Sequence, residues 1–169
     1  MKKNIFRVII IILLILTFVR IFRFSNQDGE ASKNVSREVT EFVTKNVKKI
    51  QKMEPDQKEN TLDKIEKVIR KCAHFSIYTL VGILMFALMN TYNLKVRTRV
   101  VTSLLVGIVY ASSDEIHQAF VPGRSAMFTD VLIDASGVCV GIAITALILL
   151  VAKNIIKKTK KEEAGGYKY

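Results

Sequence analysis

The 169 residues include no tryptophan, and only two cysteines, two prolines and two histidines. Without tryptophan there is no strong aromatic belt to fix helix depth at a membrane interface. Cys72 and Cys139 give no disulfide framework, since one falls near a helix end and the other deep in an apolar run. Both read as small apolar residues. No internal repeat, Walker loop, C-x-x-C or G-x-S-x-G pattern is present, so nucleotide-loop, dithiol and serine-elbow chemistry have no support. The sequence also lacks the even mixing of apolar and polar residues expected of a soluble domain of this length.

Half of the residues are hydrophobic and the net charge is +11. The apolar residues are gathered in blocks. Spans are predicted at about 5–23, 74–92, 99–117 and 131–152, against the roughly 20 residues needed to cross a bilayer. The third is the weakest. Its apolar part is only about 14 residues long, and it reaches bilayer length only if Asp114 and Glu115 continue it. The first run has the form of a signal peptide, but Arg7 interrupts it and no A-x-A site follows, so it is expected to remain as a span. The fold class expected is therefore an all-α integral membrane protein with four transmembrane helices.

The basic excess could suggest nucleic acid, but its placement points to a lipid bilayer, and no nucleic-acid partner is expected. Lys2, Lys3 and Arg7 open the chain. Lys95, Arg97 and Arg99 fill one short link, and Lys153, Lys157, Lys158, Lys160 and Lys161 follow the last run. Basic residues in short loops mark the cytoplasmic side. Both termini are expected inside, in a multi-pass protein of the cell membrane with a basic cytoplasmic tail over 153–169. Arg20 and Arg23 break the rule at the outer end of the first span, where carboxylates are expected to hold them.

An outer segment over about 24–73 follows. In "NVSREVTEFVTKNVKKI", Val35, Val39, Phe42, Val43, Val47 and Ile50 recur at helical spacing. This predicts an amphipathic helix, either lying on the membrane surface or packed on the outer mouth of the bundle. Pro55 and Asp56 end it, and Asn60 is the expected N-cap of a second helix leading into the second span.

The polar residues of the membrane region are concentrated. Residues 112–137, "SSDEIHQAFVPGRSAMFTDVLIDASG", hold His117, four carboxylates and Arg124 between apolar runs. With both termini inside, His74, Asp114, Glu115, His117, Gln118, Asp130 and Asp134 all reach the outer interface. Ionisable residues there normally face a bundle interior or a watery cavity. At about 100° per residue, Gly107, Tyr110, Asp114 and His117 share one stripe, and Asp130, Asp134, Gly137 and Gly141 share another. Gly137 and Gly141 in "GVCVG" form a small-xxx-small pair for close helix packing. His74 and Tyr78 share a face of the second span. In "FVPGRS", Pro122 and Gly123 fit a type II turn that folds Arg124 back over the carboxylates.

These residues predict an outward-facing polar pocket formed by His74, Tyr78, Asp114, Glu115, His117, Gln118, Arg124, Asp130 and Asp134. Several chemistries remain open. Glu115, His117 or Asp130 could act as acid or base on a lipid headgroup or wall precursor at the outer leaflet. Arg124, Arg20 and Arg23 could hold a phosphate or carboxylate. Two histidines with several carboxylates could bind a divalent metal, but no H-E-x-x-H-type spacing is present, so no metal or cofactor is assigned. The alternative to a pocket is a set of ion pairs, Arg124 with Asp130 or His74 with Glu115, that only ties helix ends. Ion pairs are an expensive way to hold helices.

Three segments, "FRFSNQDGEAS", "RKCAHFSIYTLVGIL" and "SDEIHQAFVPGRSAMFTDVLIDASGVCVG", resemble the VanZ-like family over about residues 20–152. The family is named for a small membrane protein associated with resistance to teicoplanin, a lipid-bearing glycopeptide antibiotic that binds wall precursors outside the membrane. The resemblance implies that role or a related envelope role, and carries the motif onto the nine residues above and Gly137. It departs at Asp134, where the family commonly has Asn in "DVLIN". A carboxylate at that depth is stable when protonated, paired with arginine or bound to a metal.

Overall fold

The computed structural model describes residues 2–165. The chain forms α1 (Lys2–Ser25), α2 (Gly29–Thr44), α3 (Lys48–Gln51), α4 (Pro55–Asn90), α5 (Val96–Gln118) and α6 (Phe128–Gly165), with no strand among the described residues. Three segments are long and apolar enough to cross a membrane: Lys3–Ser25, Pro55–Asn90 and Phe128–Lys160. The expected fourth span is not among them. Although α5 has 23 residues, Arg97 and Arg99 at its start and Asp114, Glu115 and His117 at its end dilute its apolar centre. It still runs the length of the bundle. Near its start Arg99 donates to Asn90 at the end of α4, and at its far end Gln118 Nε2 donates to Ser25 Oγ of α1 at 3.3 Å.

The α4–α6 pair is the centre of the bundle. The two helices run parallel, and glycines set their separation. A Cβ on Gly141 would lie 2.1 Å from the Thr79 carbonyl oxygen, one on Gly137 2.5 Å from that of Phe75, and one on Gly82 2.3 Å from that of Val138. The predicted small-xxx-small pair is thus the contact surface itself. Helix α5 joins through Gly107, where a Cβ would meet both Val138 methyls within 2.8 Å. Tyr78, Val81, Ala111 and Val138 are completely buried in this core.

Helix α1 lies antiparallel to α4 and closes the other side through Ile10, Leu14 and Ile21. Arg7 ties the two together. Its Nε donates to Thr91 Oγ1 at 2.9 Å, its Nη2 to the Thr91 carbonyl at 2.7 Å, and its guanidinium lies over the Tyr92 ring. The end of α4 would otherwise leave carbonyls without donors. At the opposite end, the Tyr110 hydroxyl donates to the Phe18 carbonyl at 2.7 Å.

The outer segment differs from expectation in two ways. Asn60 is no cap, because α4 starts at Pro55, whose fixed φ suits a first helical position. The segment before the second span is therefore the first half of one 36-residue helix. The amphipathic region is split into α2 and the short α3, and of the two expected placements its apolar face is not the one packed on the bundle. Ser36, Thr40 and Thr44 are buried, while Val35, Val39, Phe42 and Val43 are exposed. Each buried hydroxyl donates to the carbonyl four residues back, at 2.6–2.8 Å, so it enters the interface already satisfied. Arg37 fixes the position of α2 with bridges to Glu41, Glu59 and Asp63. At the other terminus α6 continues as helix through the basic residues of the tail to Gly165. Residues 166–169 of the expected tail lie outside the described residues.

Replacing Gly141 with leucine forces α4 and α6 apart. In detergent-purified protein, Gly141→Leu should cost at least about 1–3 kcal/mol of thermal stability, while Ser136→Leu on the exposed side of α6 should leave the melting temperature nearly unchanged.

Candidate functional site

The packing of α4 against α6 carries His74 and Asp134 to one level, and the end of α5 brings Asp114 and Glu115 there. The ionisable residues do meet at one end of the bundle, as two layers. The inner layer is His74, Asp114 and Asp134, each offering an atom within 4.8 Å of the others. His74 Nδ1 faces Asp134 Oδ2 at 3.6 Å, beyond hydrogen-bond length. Asp134 is completely buried and Asp114 nearly so. Gln118 Nε2 donates to Asp114 Oδ2 at 3.1 Å as well as to Ser25. Tyr78, one turn from His74 on the same face, is completely buried with no hydrogen-bond partner for its hydroxyl.

The outer layer lines a cleft of about 410 Å³, with Lys67, Arg70 and Lys71 of α4, Glu115 and Gln118 of α5, Arg124 of the turn, and Asp130 of α6. His74 and Asp134 line it too. The expected ion pairs are replaced by others. Asp130 bridges Lys71 at 2.5 Å, not Arg124. Glu115 Oε2 accepts the Met127 N–H at 3.0 Å, rather than pairing with His74. Arg124 Nη2 donates to the Phe24 carbonyl at 3.0 Å. Burial, and then the charge of Arg70, push the Arg124 pKa below its usual value, against the pull of Asp114 and Glu115. The group stays cationic, as guanidinium does in proteins.

The turn has the expected form. The Arg124 N–H bonds to the Val121 carbonyl at 3.1 Å, and Gly123 has φ +74°, the value a type II turn requires at its third position. The turn also docks on the start of α2. The Gly29 N–H donates to the Pro122 carbonyl at 3.0 Å, and a Cβ on Gly29 would lie 2.3 Å from the Gly123 oxygen.

His117 stands apart from the cleft. Its ring stacks on Phe22 of α1 at 4.8 Å between centroids. Arg20 lies over the Phe24 ring of its own helix, and neither it nor Arg23 makes a salt bridge to a carboxylate among the described residues. The sequence reading passed over Lys67, Arg70 and Lys71 as site residues. They precede His74 by seven, four and three positions, a helical spacing that places them on its face.

These features define a class: an all-helical protein with three membrane-length apolar helices and an ionisable cluster at one end of the bundle. The family model for VanZ/LLP1 matches residues 9–150, and the chain belongs to that family. No curated protein and no solved structure matches it.

Glu115 holds the loop before α6 through the Met127 N–H. Glu115→Ala should leave that donor unmade at a cost of about 1–3 kcal/mol and speed proteolysis within 120–127. Glu115→Gln, which keeps an accepting oxygen, should cleave at a rate close to wild type.

Proposed function

We propose that the protein acts at the outer face of a cell membrane, where its cleft binds the anionic headgroup of a lipid-linked molecule. Through that binding it lowers susceptibility to teicoplanin-type glycopeptides. The observation that carries this reading is the adjacency of two unlike cavities. Beside the polar cleft lies an apolar cavity of about 230 Å³, lined by residues such as Ile21, Phe24, Val35, Ile69 and Ile77. Arg70, His74 and Arg124 line both. An amphiphile has this same division, with a charged head joined to an apolar chain. Glu66 neutralises Arg70 and Asp130 neutralises Lys71. Lys67 and Arg124 are the rim cations that make no salt bridge among the described residues, and they are the groups we assign to a phosphate or carboxylate.

The topology proposed with this function has α5 cross alongside the three membrane-length helices, and places both termini in the cytoplasm and the 119–127 loop outside. It rests on the basic clusters at the start of α1, before α5 and late in α6. The exposed valine face of α2 then fits the interfacial layer of the outer leaflet. A second reading makes the protein an enzyme on the same headgroup. Glu115 and Asp130 line the cleft as candidate acid and base. His117, stacked on Phe22, is the weaker candidate. Turnover of a lipid-linked precursor dependent on Glu115 or Asp130 would select the enzyme.

Susceptibility to teicoplanin in a sensitive Gram-positive host tests the binding reading. Wild type should protect. Arg124→Gln and Lys67→Gln should each weaken headgroup binding by about tenfold, the equivalent of one charge-assisted contact, and lose most protection at equal membrane abundance. His117→Ala should retain it. No protection by wild type would overturn the role in resistance.

Topology has its own test in Ser125→Cys, with Cys72 and Cys139 replaced by serine. A membrane-impermeant maleimide should label Ser125→Cys in intact cells. Labelling only after permeabilisation would place the cleft on the cytoplasmic side.

A further inference from the structure

We propose that His74, Asp114 and Asp134 form a binding site for one divalent cation of the manganese or zinc class. The three residues come from α4, α5 and α6, and their ligand-capable atoms lie within 4.8 Å of one another. First-row metal bonds of about 2.0–2.2 Å set ligands roughly 3–4 Å apart, so the set needs to close by about an ångström.

The second observation is independent of this clustering. Asp134 is completely buried, and neither of its oxygens has a hydrogen-bond partner. His74 Nδ1, 3.6 Å away, is also without one. Carboxylates this deep are ordinarily paired or metal-bound. No lysine or arginine among the described residues forms a salt bridge with Asp134, which only His74 faces, at 3.6 Å. Lys71 is bridged to Asp130, Arg70 to Glu66, and Arg124 reaches the Phe24 carbonyl. With both Asp114 and Asp134 ionised on binding, their two negative charges are balanced by one dication.

The surroundings fit a metal. Gln118 donates to Asp114 Oδ2 and fixes that carboxylate while leaving its other oxygen for an ion, the arrangement of an outer-shell partner. The completely buried and unpartnered Tyr78 hydroxyl lies within the electrostatic reach of Asp114 and Asp134. It supplies a polar group for an ion-bound water. One imidazole nitrogen and two carboxylates suit zinc, manganese or ferrous iron better than calcium or magnesium, which favour all-oxygen sets. Three protein ligands leave coordination positions open. Because His74 and Asp134 also line the cleft, those positions are reached from it. The site stands whether or not the cleft takes a lipid headgroup.

The experiment uses the full chain purified in detergent and stripped with a chelator, then titrated with manganese chloride or zinc chloride alone. Bound metal and melting temperature are both read. Wild type should take up one ion per chain and melt higher once loaded. Asp134→Asn and Asp114→Asn should each weaken uptake at least tenfold, whereas Asp56→Asn, at the exposed start of α4, should bind as wild type does. If wild type binds no stoichiometric ion, or if both aspartate variants bind as tightly, the proposal is overturned. Should the variants fail to fold, manganese-loaded wild type decides the matter by pulsed electron paramagnetic resonance. Coupling to a histidine nitrogen supports the site. Its absence overturns the site, because His74 would then not be a ligand.

Discussion

The close approach of α4 and α6 is the constraint from which the rest of the structure follows. Three glycines bring the two backbones to distances that no side chain would allow. Packing of this kind does not depend on the hydrophobic effect, which is absent between helices surrounded by lipid. It also fixes register. With Gly137 against Phe75 and Gly141 against Thr79, Asp134 must come level with the turn before Phe75, where His74 stands. The site is thus placed by glycines deeper in the bundle, not by attraction between its own charges.

Closing the polar end requires separate devices, because three helix ends and a loop meet there. Gln118 links α5 to Ser25 of α1, and Glu115 holds the backbone at Met127. Gly123 lets the turn reverse, and Gly29 lets the turn lie directly on α2. Each device joins elements distant in sequence, so α2 and the loop are positioned together over one side of the cleft.

The parts of this architecture that follow from local pattern were legible in the sequence. The apolar runs of α1, α4 and α6, the Gly137–Gly141 pair and the turn at Pro122–Gly123 all depend on spacing within a few residues. What was not legible depends on partners. The valines of α2 predict an apolar face by periodicity but not which face meets the bundle; the serine and threonine stripe does, its hydroxyls satisfied within the helix. Asn60 has the chemistry of a cap, but Pro55 begins the helix earlier. The pairing of Asp130 with Lys71 rather than Arg124 depends on how α4 is turned about its axis, which no single segment reveals. The fourth span was overread, because the charged residues at both ends of α5 leave only a short apolar centre between them, whose Val101, Leu105 and Val109 are exposed.

The two layers of charge invite different explanations. In the outer layer Lys71 with Asp130 is a partly exposed pair, of the kind that contributes about 0–1 kcal/mol, and Arg70 pairs with the buried Glu66. They need no role beyond shaping the cleft. The inner layer is different. Asp134 and His74 are unsatisfied where satisfaction matters most, and nothing in the bundle requires them, since the glycine contacts already hold α4 to α6. An apolar or amide side chain at 134 would pack there without the penalty of a buried charge. A stability argument therefore predicts the absence of this carboxylate, and its presence points to a ligand.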